Sequence, residues 1–251
     1  MEKINQLMKE WQKGTVMLSS TLQKIGYGRE LLKKYVTSGW LESIGYGAFK
    51  LSGDNIEWAG AIHALQNQKN STIHAGGKTA LVLKGYAHYL GTSIKRVDLF
   101  GNVPDKLPKW FNDKEWGTRI NYLQTKMFSY RNDKYYTSVQ YNDFNLLISA
   151  PELATMEMLL LIPSGQTFDE AEKIIEGLTT LRPQHVQQLL EECNSVKVKR
   201  LFLYMAEKQN HAWLQEINIE KINLGSGKRV IVEDGVLDKK YSITVPKEYA
   251  G

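Results

Sequence analysis

The N-terminal fifty residues alternate between helical stripes and glycine breaks. Ile4, Leu7, Met8 and Trp11 recur at the spacing of one helical face, with Lys3, Lys9 and Glu10 off it, and Gly14 ends the pattern. Ser20-Thr21-Leu22-Gln23 has the form of a capping box, in which a Ser hydroxyl and a Gln side chain satisfy each other's backbone N–H groups. That predicts a second, short helix closed by Gly26, with Tyr27 and Gly28 in the turn. A third helix is expected over Arg29–Ser38, stopped by Gly39. Its Leu31, Leu32, Tyr35 and Val36 share one face, while Arg29, Lys33 and Thr37 lie four apart on another. Trp40 and Leu41 then lead through Ile44 to a Gly45-Tyr46-Gly47 turn and the run Ala48–Leu51, a hairpin whose glycines supply positive φ.

A short helix, a glycine turn, a helix with a basic outer face and a following hairpin together form the pattern of a winged helix-turn-helix. Such a domain places its third helix in the DNA major groove. Arg29 has the fork geometry to read guanine, while Lys33 and Lys34 suit phosphates, and Thr37 shares their face. Ser19, Ser20 and Thr21 open the second helix where a phosphate could be held. Tyr27 in the turn, and Tyr46 and Lys50 on the wing, complete the predicted DNA-contact set. The competing expectation is a winged helix that docks a protein and reads no DNA sequence.

From Asn55 onward the pattern becomes α+β. A connecting helix is expected near Ile56–Leu65 and another over Lys78–Leu90. Strands are expected at Val97–Phe100, Arg119–Gln124, Tyr136–Tyr141 and Phe144–Ile148. Ser149-Ala150-Pro151-Glu152 reads as a second capping box opening a helix to Ile162. Further helices start at Thr167, Pro183 and Ser195, the last running to about Lys208. Their lengths and short turns predict an antiparallel helical subdomain. The chain ends in strands around Val230–Val232 and Tyr241–Val245, with an Asp234-Gly235 turn between them. The predicted fold class is therefore α+β: a winged helix-turn-helix at residues 1–53 and a larger C-terminal α+β domain at 54–251.

Composition narrows the picture. The chain has 251 residues, is 42% hydrophobic and 24% charged, and carries a net charge of +5. That permits nucleic-acid binding without establishing it. No apolar run approaches the roughly 20 residues of a membrane-spanning helix, and the first residues lack a signal-peptide core. The single cysteine, Cys193, excludes an internal disulfide and falls on a buried helical stripe with Val186, Leu189 and Leu190. A cytoplasmic location and an inert core thiol are the expectations.

Catalytic signals are weak. Gly76-Gly77-Lys78-Thr79 imitates the end of a phosphate-binding loop, but Thr72 stands where its first glycine belongs. Gly225-Ser226-Gly227-Lys228-Arg229 lacks the Ser or Thr after its lysine. His63, His74, His88, His185 and His211 show no ligand spacing, and Asp98, Asp105 and Asp113 form no catalytic pair. No enzyme activity, metal or cofactor is expected. Lys197, Lys199 and Arg200, with Lys228, Arg229, Lys239 and Lys240, form a candidate basic contact surface for DNA or an acidic partner.

Three segments carry a family resemblance: S-S-T-L-Q-K-I-G-Y-G-R-E-L-L-K-K-Y-V, I-S-A-P-E-L-A-T-M-E-M-L, and L-G-S-G-K-R-V-I-V followed by L-D-K-K-Y-S-I-T-V-P. With them the whole chain resembles the AbiEi-type antitoxins of type IV toxin–antitoxin and abortive-infection systems. The resemblance implies an N-terminal domain that binds inverted repeats in its own promoter and represses it. It also implies a C-terminal domain that counteracts a nucleotidyltransferase-like toxin, and it supplies no catalytic residues.

Overall fold

A computed structural model describes residues 2–86 and 94–249, which divide into two compact units. The first comprises residues 1–74, 95–124 and 138–148; the second comprises 75–94, 125–137 and 149–251. The chain thus passes between the units several times, and a single cut after residue 53 does not follow the packing.

The first unit opens with α1 (Glu2–Glu10), β1 (Met17–Leu18), α2 (Ser19–Lys24), α3 (Arg29–Thr37), β2 (Leu41–Gly45) and β3 (Ala48–Leu51), the element order expected of a winged helix-turn-helix. The strands form a small sheet in the order β1-β3-β2. Ile4, Leu7 and Trp11 of the first stripe are buried with Leu22, Tyr27, Leu32, Tyr35, Leu41 and Leu51. Met8, placed on the same stripe by its spacing, is 40% exposed instead. The capping box at Ser20 does not form: α2 starts two residues earlier, at Ser19, with Leu18 at its N-cap and no side-chain cap. Gly26 does close the helix, at φ +94°.

The rest of this unit holds α4 (Trp58–Lys69), α6 (Lys109–Asn112) and most of a five-stranded sheet in the order β6-β5-β4-β8-β7. Its strands are β4 (His74–Ala75), β5 (Arg96–Asn102), β6 (Arg119–Thr125), β7 (Tyr136–Tyr141) and β8 (Phe144–Ser149). All four predicted strands of this region are present.

The second unit is built round α7 (Pro151–Leu160). Every residue from Glu152 to Leu159 is buried, as in a helix enclosed on all sides. Against it pack α5 (Gly77–Leu83), α8 (Phe168–Glu176), α9 (Pro183–Glu192) and α10 (Val196–Lys208). The predicted 78–90 helix is observed only as α5, and residues 87–90 lie outside the described residues. The caps at Thr167 and Ser195 form, each side-chain oxygen accepting from a backbone N–H at 3.3 Å. The one at Ser149 does not: Ala150 holds the N-cap position with no side-chain cap, and the Ser149 hydroxyl donates to the buried Glu157 carboxylate at 2.7 Å. β9 (Arg229–Val230), β10 (Val236–Asp238) and β11 (Ile243–Val245) form a third sheet, with β11 in the middle.

Candidate nucleic-acid interface

Burying Leu32 and Tyr35 turns the opposite face of α3 to solvent, and Arg29, Lys33, Lys34 and Thr37 are all exposed on it. Gly28 caps the helix in extended conformation, which puts Arg29 at its first position. The wing faces this helix. Its strands pair Leu41 with Leu51, Glu42 with Lys50 and Ser43 with Phe49, and a bulge between Ser43 and Gly45 leads into the turn. The Tyr46 ring at the tip is 96% exposed.

Between α2, α3 and the wing lies an open groove of about 450 Å³. Ser19, Arg29, Lys33, Thr37 and Tyr46 line it, so five of the ten predicted contact residues converge on one concavity. Residues 1–53 hold eight Lys and Arg against four acidic side chains, a net charge of +4. Ser20 and Lys34 are exposed beside it, and Thr21 is half-buried.

Two predicted members are committed elsewhere. Tyr27 is buried in the helical core, and its hydroxyl donates to the Lys3 carbonyl at 3.0 Å. Burial, reinforced by the Glu10 carboxylate, pushes its phenol up. It is a packing residue, because the turn it opens must seal α1 against α3. On the wing, Lys50 is salt-bridged at 2.8 Å to Glu42, its direct cross-strand neighbour, and donates to the Asp54 carbonyl at 2.7 Å. Those bonds, with the Ser52 hydroxyl and Gly53 N–H, hold the Glu42 carboxyl down to about 2. The charge of Lys50 is therefore satisfied within the wing.

The C-terminal basic set separates in the same way. Arg200 is 4% exposed, and its guanidinium donates to the carbonyls of Leu224, Gly225, Gly227 and Ser242. It anchors the Gly225–Gly227 loop from inside. Lys199 is also 4% exposed, and Lys197 donates to the carbonyls of Leu160 and Ile162. Burial pushes all three side chains down from their ordinary values. Sequence spacing alone could not separate them from surface lysines, because α10 is packed on more than one side. The Arg229 guanidinium reaches back to the carbonyls of Ser226 and Lys228 at 3.2 Å. Lys240 pairs with Glu207, leaving Lys228 and Lys239 as the exposed members of the set that make no ion pair among the described residues.

Among the described residues, no three His, Cys, Asp or Glu side chains gather as metal ligands would, and no helix is long and apolar enough to cross a membrane. His88 lies outside the described residues.

Comparison with known proteins bears on both halves of the chain. No curated protein matches it. The crystal structure of the RV2827C protein from Mycobacterium tuberculosis superposes with a TM-score of 0.61, covering 96% of this chain and 88% of that one at 12% identity. That is a likeness of fold. Residues 1–92 match the model described as "Transcriptional regulator, AbiEi antitoxin N-terminal domain". Residues 94–246 match "Transcriptional regulator, AbiEi antitoxin, Type IV TA system". Together these cover nearly the whole sequence, and the chain belongs to the AbiEi family of antitoxin transcriptional regulators of type IV toxin–antitoxin systems.

Proposed function

We propose that this protein binds the promoter DNA of its own operon through the α3–wing groove, represses it, and counteracts a cognate nucleotidyltransferase-like toxin. The observation that carries the DNA half is the convergence of Arg29, Lys33, Thr37 and Tyr46 on one open groove. Arg29, at the N-terminal end of α3, is placed to meet a guanine edge, and Lys33, one turn on, to meet phosphate. Tyr46 at the wing tip lies against the sugar–phosphate backbone or the minor groove. The antitoxin half rests on family membership, and the protein acts in the cytoplasm, where promoter and toxin both reside.

A gel-shift titration on the DNA upstream of its gene tests the first half. The Arg29→Ala/Lys33→Ala variant should lose sequence-specific binding, with Arg29→Ala alone costing about 1–3 kcal/mol, roughly five- to 150-fold. Wild-type binding no tighter than to random DNA would overturn the reading in favour of a protein-docking winged helix. Co-expression with a cognate nucleotidyltransferase-like toxin tests the second half: growth should be restored by the wild-type protein and not by an empty vector.

A further inference from the structure

The wing has a second face. A concavity of about 660 Å³ lies across it from the α3 groove, and the two share Ser19, Tyr46 and Gly47. Lys69 at the end of α4 and Lys109 at the start of α6 line this far side, with the exposed Ser20 hydroxyl and one acid, Asp113. Both lysines are exposed and outside any ion pair among the described residues. Beyond Lys69 a neighbouring hollow adds Lys106. Its acid, Asp105, is turned inward, where it accepts from the Ser71 hydroxyl and the Thr72 N–H, each at 2.7 Å.

The wing is fixed against this surface. A side chain on Gly45 would place its Cβ 2.6 Å from the Trp110 Cβ, so the strand lies directly on α6. On the other edge, the Ser19 N–H donates to the Gly47 carbonyl at 2.8 Å. A wing laid along a minor groove meets a phosphate backbone on each side, because that groove is only about 6 Å wide. The α3 side supplies Lys33 to one backbone. We infer that the far side, through Lys69 and Lys109 with the Ser20 hydroxyl, binds the phosphate backbone of the same duplex beyond the wing. These are sequence-independent contacts from outside the helix-turn-helix.

This inference rests on the proposed DNA-binding function, and fluorescence anisotropy separates the two. Affinity of wild type and Lys69→Ala/Lys109→Ala would be measured across salt concentrations on upstream and random duplexes, with hydroxyl-radical footprints of the bound upstream DNA. The substitutions should lower the slope of log K against log salt by about two and weaken both duplexes by the same factor. The footprint should lose protection only on the wing-distal flank. A wild type that binds upstream DNA no better than random DNA defeats both readings. Specific wild-type binding with slope and flank protection unchanged in the variant defeats this inference alone. Loss of discrimination between the duplexes would also overturn it, since backbone contacts carry no base preference.

Discussion

Burial pushes the Cys193 thiol to about 11, and almost none of it is thiolate at neutral pH. It should react with a thiol reagent only after denaturation, and stoichiometric labelling of the native protein would contradict its placement. Glu152 is the stronger case of burial working against a charge. Burial raises its carboxyl, but the side-chain and backbone N–H groups of Arg182, at 2.8 and 2.9 Å, outweigh that and hold it below the ordinary 4.5. A depressed native value means that stability from this pair is present above about pH 4.5 and is lost as pH falls through the native value. Arg182→Ala should therefore cost about 2 kcal/mol at neutral pH, less than a fully buried pair would because the Arg182 side chain is 49% exposed. The gap between variant and wild type in urea midpoint should narrow toward pH 3. A gap independent of pH would refute the assignment.

Among the elements, α4 shows where propensity and packing pull apart. Gly60 lies within it, and Gly to Ala in a helix ordinarily gains about 1 kcal/mol. Here a Cβ would stand 1.8 Å from the Gly14 carbonyl oxygen, a backbone atom that cannot rotate away. Gly60→Ala should lower the thermal midpoint, and a raised midpoint would show that the Gly14 loop yields freely. The same tension explains which caps were legible. Thr167 and Ser195 stand at the N-cap positions of α8 and α10 and cap as predicted, whereas α7 has Ala150 at its N-cap, one residue past Ser149, whose hydroxyl donates to the Glu157 carboxylate. A capping box encodes a local preference, and it goes unused where the helix starts one residue later and the side chain meets another partner.

Over the whole molecule, the helix-turn-helix is tied to later segments of its own unit. The Leu18 N–H donates to Gln68, Gln68 donates to the Val16 carbonyl, and the Gly14 N–H donates to Asp54. A fragment of residues 1–53 lacks all three bonds, worth about 1 kcal/mol each, together with the Trp110 support under Gly45. A core of that size supplies only about 3–5 kcal/mol. The isolated fragment should be largely unfolded by near-UV circular dichroism, and a cooperative melt matching the full chain would disprove the dependence.

Local periodicity and glycine punctuation encode the order and type of most elements, from the three N-terminal helices and wing to four strands of the five-stranded sheet, so these were legible without coordinates, whereas the two-residue β4 at its centre was not. The exposed face of α3 was legible too, since a helix that buries Leu32 and Tyr35 must turn Arg29 and Lys33 outward. Which cations are free was settled by long-range packing instead. Lys50, Lys197, Lys199 and Arg200 read in sequence like Lys33, yet each is engaged or buried by groups distant in the chain or across a strand. Nor could periodicity bring Lys69 and Lys109 to the far side of the wing, because that juxtaposition depends on how α4 and α6 pack, which short-range spacing does not encode.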